Sequence, residues 1–168
     1  MTNPMQSERP KRLVFVCVEN CNRSQMAEAF ARMYGAGRVE AYSAGCQPAE
    51  CIHPKAIAAM QELGYDLRRH LPKGLSDLPD VQFDVVVTMG CEGRHLSLAA
   101  KTREDWPVPC PKELATEPFR AVRDLIGRKV QELLARLQVF PPPPVSSALQ
   151  TLVPLENAVR NRGHSSGI

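Results

Sequence analysis

Two cysteines, an arginine and a serine fall within the stretch CVENCNRS, residues 17–24. The spacing runs Cys17, five residues, Arg23, Ser24, set between the apolar run RLVFVC and the helical pattern SQMAEAFARMYG. A thiol where a strand ends and an arginine where a helix begins suit one kind of ligand, a tetrahedral oxyanion. The free N–H groups of a helix N-terminus and the positive end of its dipole hold negative charge. A guanidinium grips two oxygens in a planar fork, which lysine cannot reproduce. The same field favours a thiolate, so Cys17 is expected to be the nucleophile. The loop Cys17, Val18, Glu19, Asn20, Cys21, Asn22 and Arg23 is the expected cradle, holding the equatorial oxygens as charge develops.

These groups converge only if the chain around them folds as strand, loop and helix. RLVFVC is short, apolar and valine-rich, as a strand buried on both faces of a parallel sheet should be. Met26, Phe30 and Met33 follow at helical steps, with Gly35 as a stop. RVEAYSAG reads as a second strand, and HPKAIAAMQELG as a second helix opened by Pro54 and closed by Gly64. QFDVVVTMG is a third strand. A loop and short helix are expected after it, then a fourth strand within EDWPVPCP, broken by its prolines. The segment TEPFRAVRDLIGRKVQELLARL sets Phe119, Val122, Ile126, Val130, Leu133 and Leu137 on one helical face opposite a basic one. Strands alternating with helices predict an α/β three-layer sandwich, a four-stranded parallel sheet with helices on both faces. Ligands in such sheets sit at the carboxyl ends of the strands, where residues 17–24 lie.

The folded domain is expected over residues 12–139, after a flexible N-terminus at 1–11. Residues 140–168 read as a proline-led tail, stiff at first and then largely disordered, with room for a short helix around Leu152 to Val159. The 168 residues, 43% hydrophobic and 23% charged, suit one domain with a real core. A net charge of +3 with interleaved signs makes little case for nucleic acid. No membrane span and no signal peptide are evident, so a cytoplasmic protein, monomeric or weakly dimeric, is expected. Its six cysteines are then working thiols or small hydrophobes rather than a disulfide framework. Cys17, Cys21, Cys46 and Cys51 have spacings that zinc accepts, but Arg23 and Asn22 suit an anion better than a cation. His53 is expected to shape the start of the second helix, while His70 and His95 read as surface or loop residues. Trp106 is the one aromatic expected to wall the pocket, which favours a small inorganic substrate.

CVENCNRSQMAEAF, YSAG, HPKAIAAMQELGYDL, FDVVVTMGC and REDW with its later VRD together resemble the low-molecular-weight protein tyrosine phosphatases and, within them, the arsenate reductases. The likeness runs from about Arg12 to Leu137. It implies that Cys17 is the nucleophile, Arg23 the oxyanion-binding arginine, Ser24 the hydroxyl supporting the thiolate and Asn20 the residue shaping the loop. One reductase branch has a potassium ion beside the loop, and its ligand positions match Asn20, Glu28, Ser43 and Asp66.

Hydrolysing a phosphate ester needs one thiol, whereas reducing arsenate takes two electrons and a second thiol. Cys91 follows the third strand on the same sheet edge as Cys17, and a moving loop would bring their Cα atoms within the roughly 7 Å a disulfide requires. TMGC and RSQMAE resemble the reductases, since the phosphatases usually have proline after the serine. The implied activity is thiol-dependent reduction of arsenate to arsenite, with no bound cofactor. The external reductant is thioredoxin, glutaredoxin or a low-molecular-weight thiol. A tyrosine phosphatase using Cys17 alone is the second reading, and a catalytically weak oxyanion-binding or redox-switch protein the third.

Two departures from the resemblance stand out. Thioredoxin-coupled reductases carry a third cysteine where this chain has Leu98, so the final exchange falls to Cys21, Cys110 or an external thiol. Family members also place an aspartate before a proline downstream of the tryptophan as general acid, worth about 10²- to 10⁴-fold. Here Cys110 precedes Pro111. Cys110, Asp105 and Glu104 are the candidate substitutes, and Cys110 is alternatively the resolving thiol.

Overall fold

Strand β1, Lys11–Cys17, is buried from Leu13 to its end, as a valine-rich run with a neighbour on each side must be. Those neighbours are β2, Val39–Gly45, and β3, Phe83–Met89, both parallel to it. β4, Ala100–Asp105, pairs with the outer side of β3, giving the order β2-β1-β3-β4. The structure is a computed structural model and describes residues 9–91 and 97–139. The expectations for residues 1–8, for His95 and for the tail at 140–168, including its short helix, lie outside the described residues.

Alternation along β1 divides the core. Leu13 and Phe15, with Val85 and Val87, meet α1 (Arg23–Gly35), α2 (Pro54–Gln61) and α3 (Thr116–Arg136). Val14, Val16 and Val86 face the other way, beneath Leu75, Leu78 and Leu98. Among the described residues, the helical cover on that second face is a single 3₁₀ turn, Leu75–Asp77. On the first face α3 buries Phe119, Val122, Ile126, Val130 and Leu133, each contributing about 1.5–3 kcal/mol. Leu137, at the cap, is only partly buried. α1 is wedged against β1, β2 and α3, so even Ser24, Gln25 and Glu28 are buried. Polar groups in that position must find partners.

The fourth strand corrects the expectation. It lies at Ala100–Asp105, before the prolines rather than among them. Pro107, Pro109 and Pro111 lack the N–H that a ladder needs. As an edge strand with mostly exposed side chains, AKTRED shows no apolar run to read. Residues 97–99 hold no helix, and the rest of that segment, 92–96, is not described. No helix among the described residues is long and apolar enough to cross a membrane. Because the chain passes from β1 to β2 on one side and to β3 on the other, the sheet opens a crevice at the carboxyl end of β1.

Candidate active site

The loop after β1 is turned by what its carbonyls bind. The carbonyls of Cys17, Val18, Glu19 and Cys21 accept from the N–H groups of Cys46, Gln47, Ala49 and His53 at 2.8–3.1 Å. In a trans peptide the next N–H points the opposite way. The amides of Val18, Glu19, Asn20 and Asn22 are thereby directed away from the 46–53 segment. Asn20 holds the turn at φ 50, a conformation asparagine tolerates. Gly45 lets the loop sit close, since a Cβ there would lie 2.8 Å from the Val18 carbonyl and 3.0 Å from Asn20 N. α1 has no side-chain cap at Asn22, which leaves its first N–H groups available to a ligand.

A cavity of about 470 Å³ opens here, lined by Cys17, Val18, Glu19, Cys21, Asn22, Arg23, the 47–49 segment, Cys110 and Lys112. The Arg23 side chain is folded in rather than swung to solvent: the residue is 7% exposed. Its Nη1 donates to the Val108 carbonyl at 3.0 Å. It occupies space that Gly90 leaves, for a Cβ at position 90 would stand 2.8 Å from Nη1. The buried Asn22 Oδ1 beside this cavity has no hydrogen-bond partner.

Cys17 Sγ and Ser24 Oγ are 2.9 Å apart. Asn20 Nδ2 donates to the same hydroxyl oxygen at 2.7 Å, leaving the hydroxyl hydrogen to point at a sulfur anion. Asn20 Oδ1 accepts from Gln25 Nε2 and from Lys73 N, both at 2.8 Å. Gln25 Oε1 is 2.8 Å from His70 Nδ1, and His70 Nε2 is 2.8 Å from the Tyr65 hydroxyl. Burial pushes the His70 ring below its usual range, with Arg32 and Lys73 adding to the effect against the opposing Glu28. A neutral ring donates from Nδ1 to Gln25 and accepts at Nε2 from Tyr65. A continuous chain thus runs from His70 to the nucleophile. Neither Gln25 nor His70 is marked for this place by the sequence, apart from Gln25 standing where proline is usual after the serine in the phosphatases.

Cys91 lies two residues beyond Met89, the β3 register partner of Cys17. It does not line the cavity. It is 8% exposed and packs with Val14 and Val16 on the second face, beside Cys46 and Leu98. Burial, then the Cys46 thiol and the nearby Cys17, push its thiol up to about 12. Cys21 is held by Glu19 Oε2 at 3.6 Å and by Asn22 Nδ2 at 3.4 Å. Burial and the Glu19 charge push that thiol up to about 12 as well.

Of the candidate acids, only Cys110 reaches the cavity, where it is exposed. Asp105 accepts from Thr88 Oγ1 at 2.6 Å. Glu104 is bound by Arg136 and by the Trp106 indole. Arg136 is the larger cause holding its carboxyl below the usual range, so it is a poor proton donor. Lys112 also lines the cavity, paired with Glu19 at 3.0 Å. Trp106 is buried against Phe15, ring centroids 5.9 Å apart, and walls the core rather than the cavity. His53 shapes the first turn of α2 as expected, accepting from Lys55 N.

The potassium positions do not fit an alkali ion. Glu28 is already neutralised by Arg32 at 2.7 Å and Lys73 at 3.7 Å, and it accepts from Ser43 Oγ at 2.5 Å. Asp66 is turned to Arg68 at 2.8 Å. Cys51 is exposed while Cys21 and Cys46 turn to different neighbours, and no metal-holding group of His, Cys, Asp and Glu occurs among the described residues.

Residues 12–139 match the model of the low molecular weight phosphotyrosine protein phosphatase family. The chain is 36% identical over 131 residues to a "Glutaredoxin arsenate reductase" of Synechocystis sp., covering 76% of this chain and 98% of that one. A solved structure described as "An arsenate reductase in the phosphate binding state" is 34% identical with a TM-score of 0.69, over 75% of this chain and 98% of the other. The thioredoxin-dependent arsenate reductase of Corynebacterium glutamicum is 28% identical with a TM-score of 0.64, over 79% of this chain and 64% of that one.

Proposed function

The chain belongs to the low molecular weight phosphotyrosine protein phosphatase family, and on that premise we propose that it reduces arsenate to arsenite at Cys17, using Cys91 as a second thiol. The observation that carries this reading is the second thiol itself: Cys91 leaves β3 beside the strand end that bears Cys17. A phosphatase has no use for it.

Arsenate docks in the cup, its oxygens on the loop amides and the Arg23 guanidinium. The Cys17 thiolate, held by the Ser24 hydroxyl, attacks arsenic. A sulfur–arsenic bond forms as one oxygen leaves as water, with protons supplied at the cavity mouth by Cys110 or Lys112. Asn22 Oδ1 accepts from a protonated oxygen of the bound anion. Cys91 then attacks Cys17 Sγ; the sulfur–arsenic bond breaks, arsenic keeps the electron pair and leaves as arsenite, and a Cys17–Cys91 disulfide forms. The two electrons come from the two sulfurs. Because Cys91 rests outside the cavity, this step moves the loop after β3. A dithiol protein of the thioredoxin or glutaredoxin kind restores the thiols, which places the enzyme in a reducing cytoplasm.

Thiol-dependent arsenate reduction and aryl phosphate hydrolysis, measured side by side for wild type, Cys17→Ser, Cys91→Ser and Cys110→Ser, test the proposal. Arsenite production should vanish in the first two variants. Full arsenate turnover by Cys91→Ser would overturn the mechanism.

A further inference from the structure

The sheet brings a third cysteine to the same place. Gly45 of β2 and Met89 of β3 are the register partners of Cys17 on its two sides. Cys46 follows the first and Cys91 lies just past the second. Cys46 N–H donates to the Cys17 carbonyl at 3.1 Å, and its side chain packs against the second-face cluster that holds Cys91. After burial, the Cys46 thiol is the next cause that pushes the Cys91 thiol up. Exposure rises outward along the three sulfurs: Cys17 is 2% exposed, Cys91 8% and Cys46 half-buried. Leu98 packs in the same cluster. The other cysteines are placed elsewhere, Cys21 on Glu19, Cys110 across the cavity and Cys51 in solvent.

We propose that Cys46 is the exchange thiol that takes the disulfide from Cys17. This rests on the arsenate reductase reading, which supplies the Cys17–Cys91 disulfide. The Cys46 thiolate attacks Cys91 Sγ; the Cys17–Cys91 bond breaks, the Cys46–Cys91 bond forms, and Cys17 returns as a thiolate. The proton lost by Cys46 goes to solvent, and no net electrons move. Cys91 rests in the cluster that Cys46 packs against, so the second disulfide forms with the loop back in place, whereas the first needs the loop displaced. The external dithiol then meets a disulfide at the surface rather than one buried beneath the cup, and reduces it.

The test is one turnover of the full chain with equimolar arsenate and no reductant, followed by thiol alkylation and peptide mass mapping. Wild type should release one arsenite per chain and carry a Cys46–Cys91 disulfide with Cys17 alkylated. Cys46→Ser and Cys46→Ala should also release one arsenite, which certifies their fold, but stop at Cys17–Cys91. Their steady-state turnover with thioredoxin should fall at least about tenfold. A wild-type chain trapped as Cys17–Cys91, or variants cycling at the wild-type rate, would overturn the exchange while leaving the reductase reading intact. Absence of arsenite from wild type would overturn the reductase reading and the exchange with it.

Discussion

Cys91, as the thiol that attacks the Cys17 adduct, should make the second half of the reaction climb steeply with pH. Its burial, the Cys46 thiol and nearby Cys17 raise the thiol from 9.0 to about 12. At pH 7.5 a thiol of the first kind is about 3% ionised and one of the second about 0.003%, roughly a thousandfold less. Only the thiolate attacks. The rate constant for arsenite release in a single turnover should therefore rise about tenfold per pH unit between pH 7 and 9.5 without a plateau. Rapid-quench measurement of arsenite, with Cys91→Ser arrested at the adduct as reference, reads this step directly. The stability linkage runs the same way. The folded chain holds the Cys91 proton more tightly than the unfolded chain, so this contribution is intact below pH 9 and declines as pH rises towards 12. Cys21 behaves alike. A release rate that levels off by pH 8.5 would refute the reasoning, because it would mean that burial does not hold the Cys91 thiol protonated before the loop moves.

Three further outcomes are expected. Ser24→Ala removes the hydroxyl from the Cys17 sulfur and orphans Asn20 Nδ2; kcat should fall about a hundredfold, with about 1–2 kcal/mol lost in urea unfolding. Gly90→Ala sets a Cβ against the Arg23 guanidinium at φ +79. It should cost about 1 kcal/mol of stability and weaken phosphate competition about tenfold, whereas tight phosphate binding would argue that the guanidinium is held by Val108 alone. Asp84→Asn removes a carboxylate that is 6% exposed and binds Arg9, Lys101 and the Arg12 N–H. Burial opposes its ionisation, but these partners prevail and hold the carboxyl well below the usual range. The loss should be about 3 kcal/mol at pH 7. A depressed folded-state value makes that stability present above pH 4 and lost on acidification, so the urea midpoints of wild type and variant should converge between pH 4 and 2.

What could be read in the linear chain was whatever chemistry is contiguous or periodic. Cys17, Arg23 and Ser24 sit in one loop, and the apolar parity of RLVFVC and FDVVVTM says how the strands are buried. The spacing of Phe119 to Leu133 likewise marks the face of α3. These patterns follow from backbone geometry, which is local. β4 escaped because an edge strand need not be apolar, and the prolines after it drew attention to the wrong segment. His70 and Gln25 escaped for another reason. Glutamine carries no chemistry of its own, and only the burial of α1 forces it to bridge Asn20 and His70.

The thiols show the division most plainly. Composition and spacing determined that Cys17 stands at a strand end before a helix, and that Cys91 stands at another. Which cysteine meets Cys91 depended on the sheet order β2-β1-β3, which carries Cys46 and Cys91, 45 positions apart, to either side of one strand end. Parallel register is set by the packing of whole faces, a non-local sum over the core that no short window of residues contains. The tertiary structure therefore decided the pairing, and with it the route by which a disulfide can leave the site.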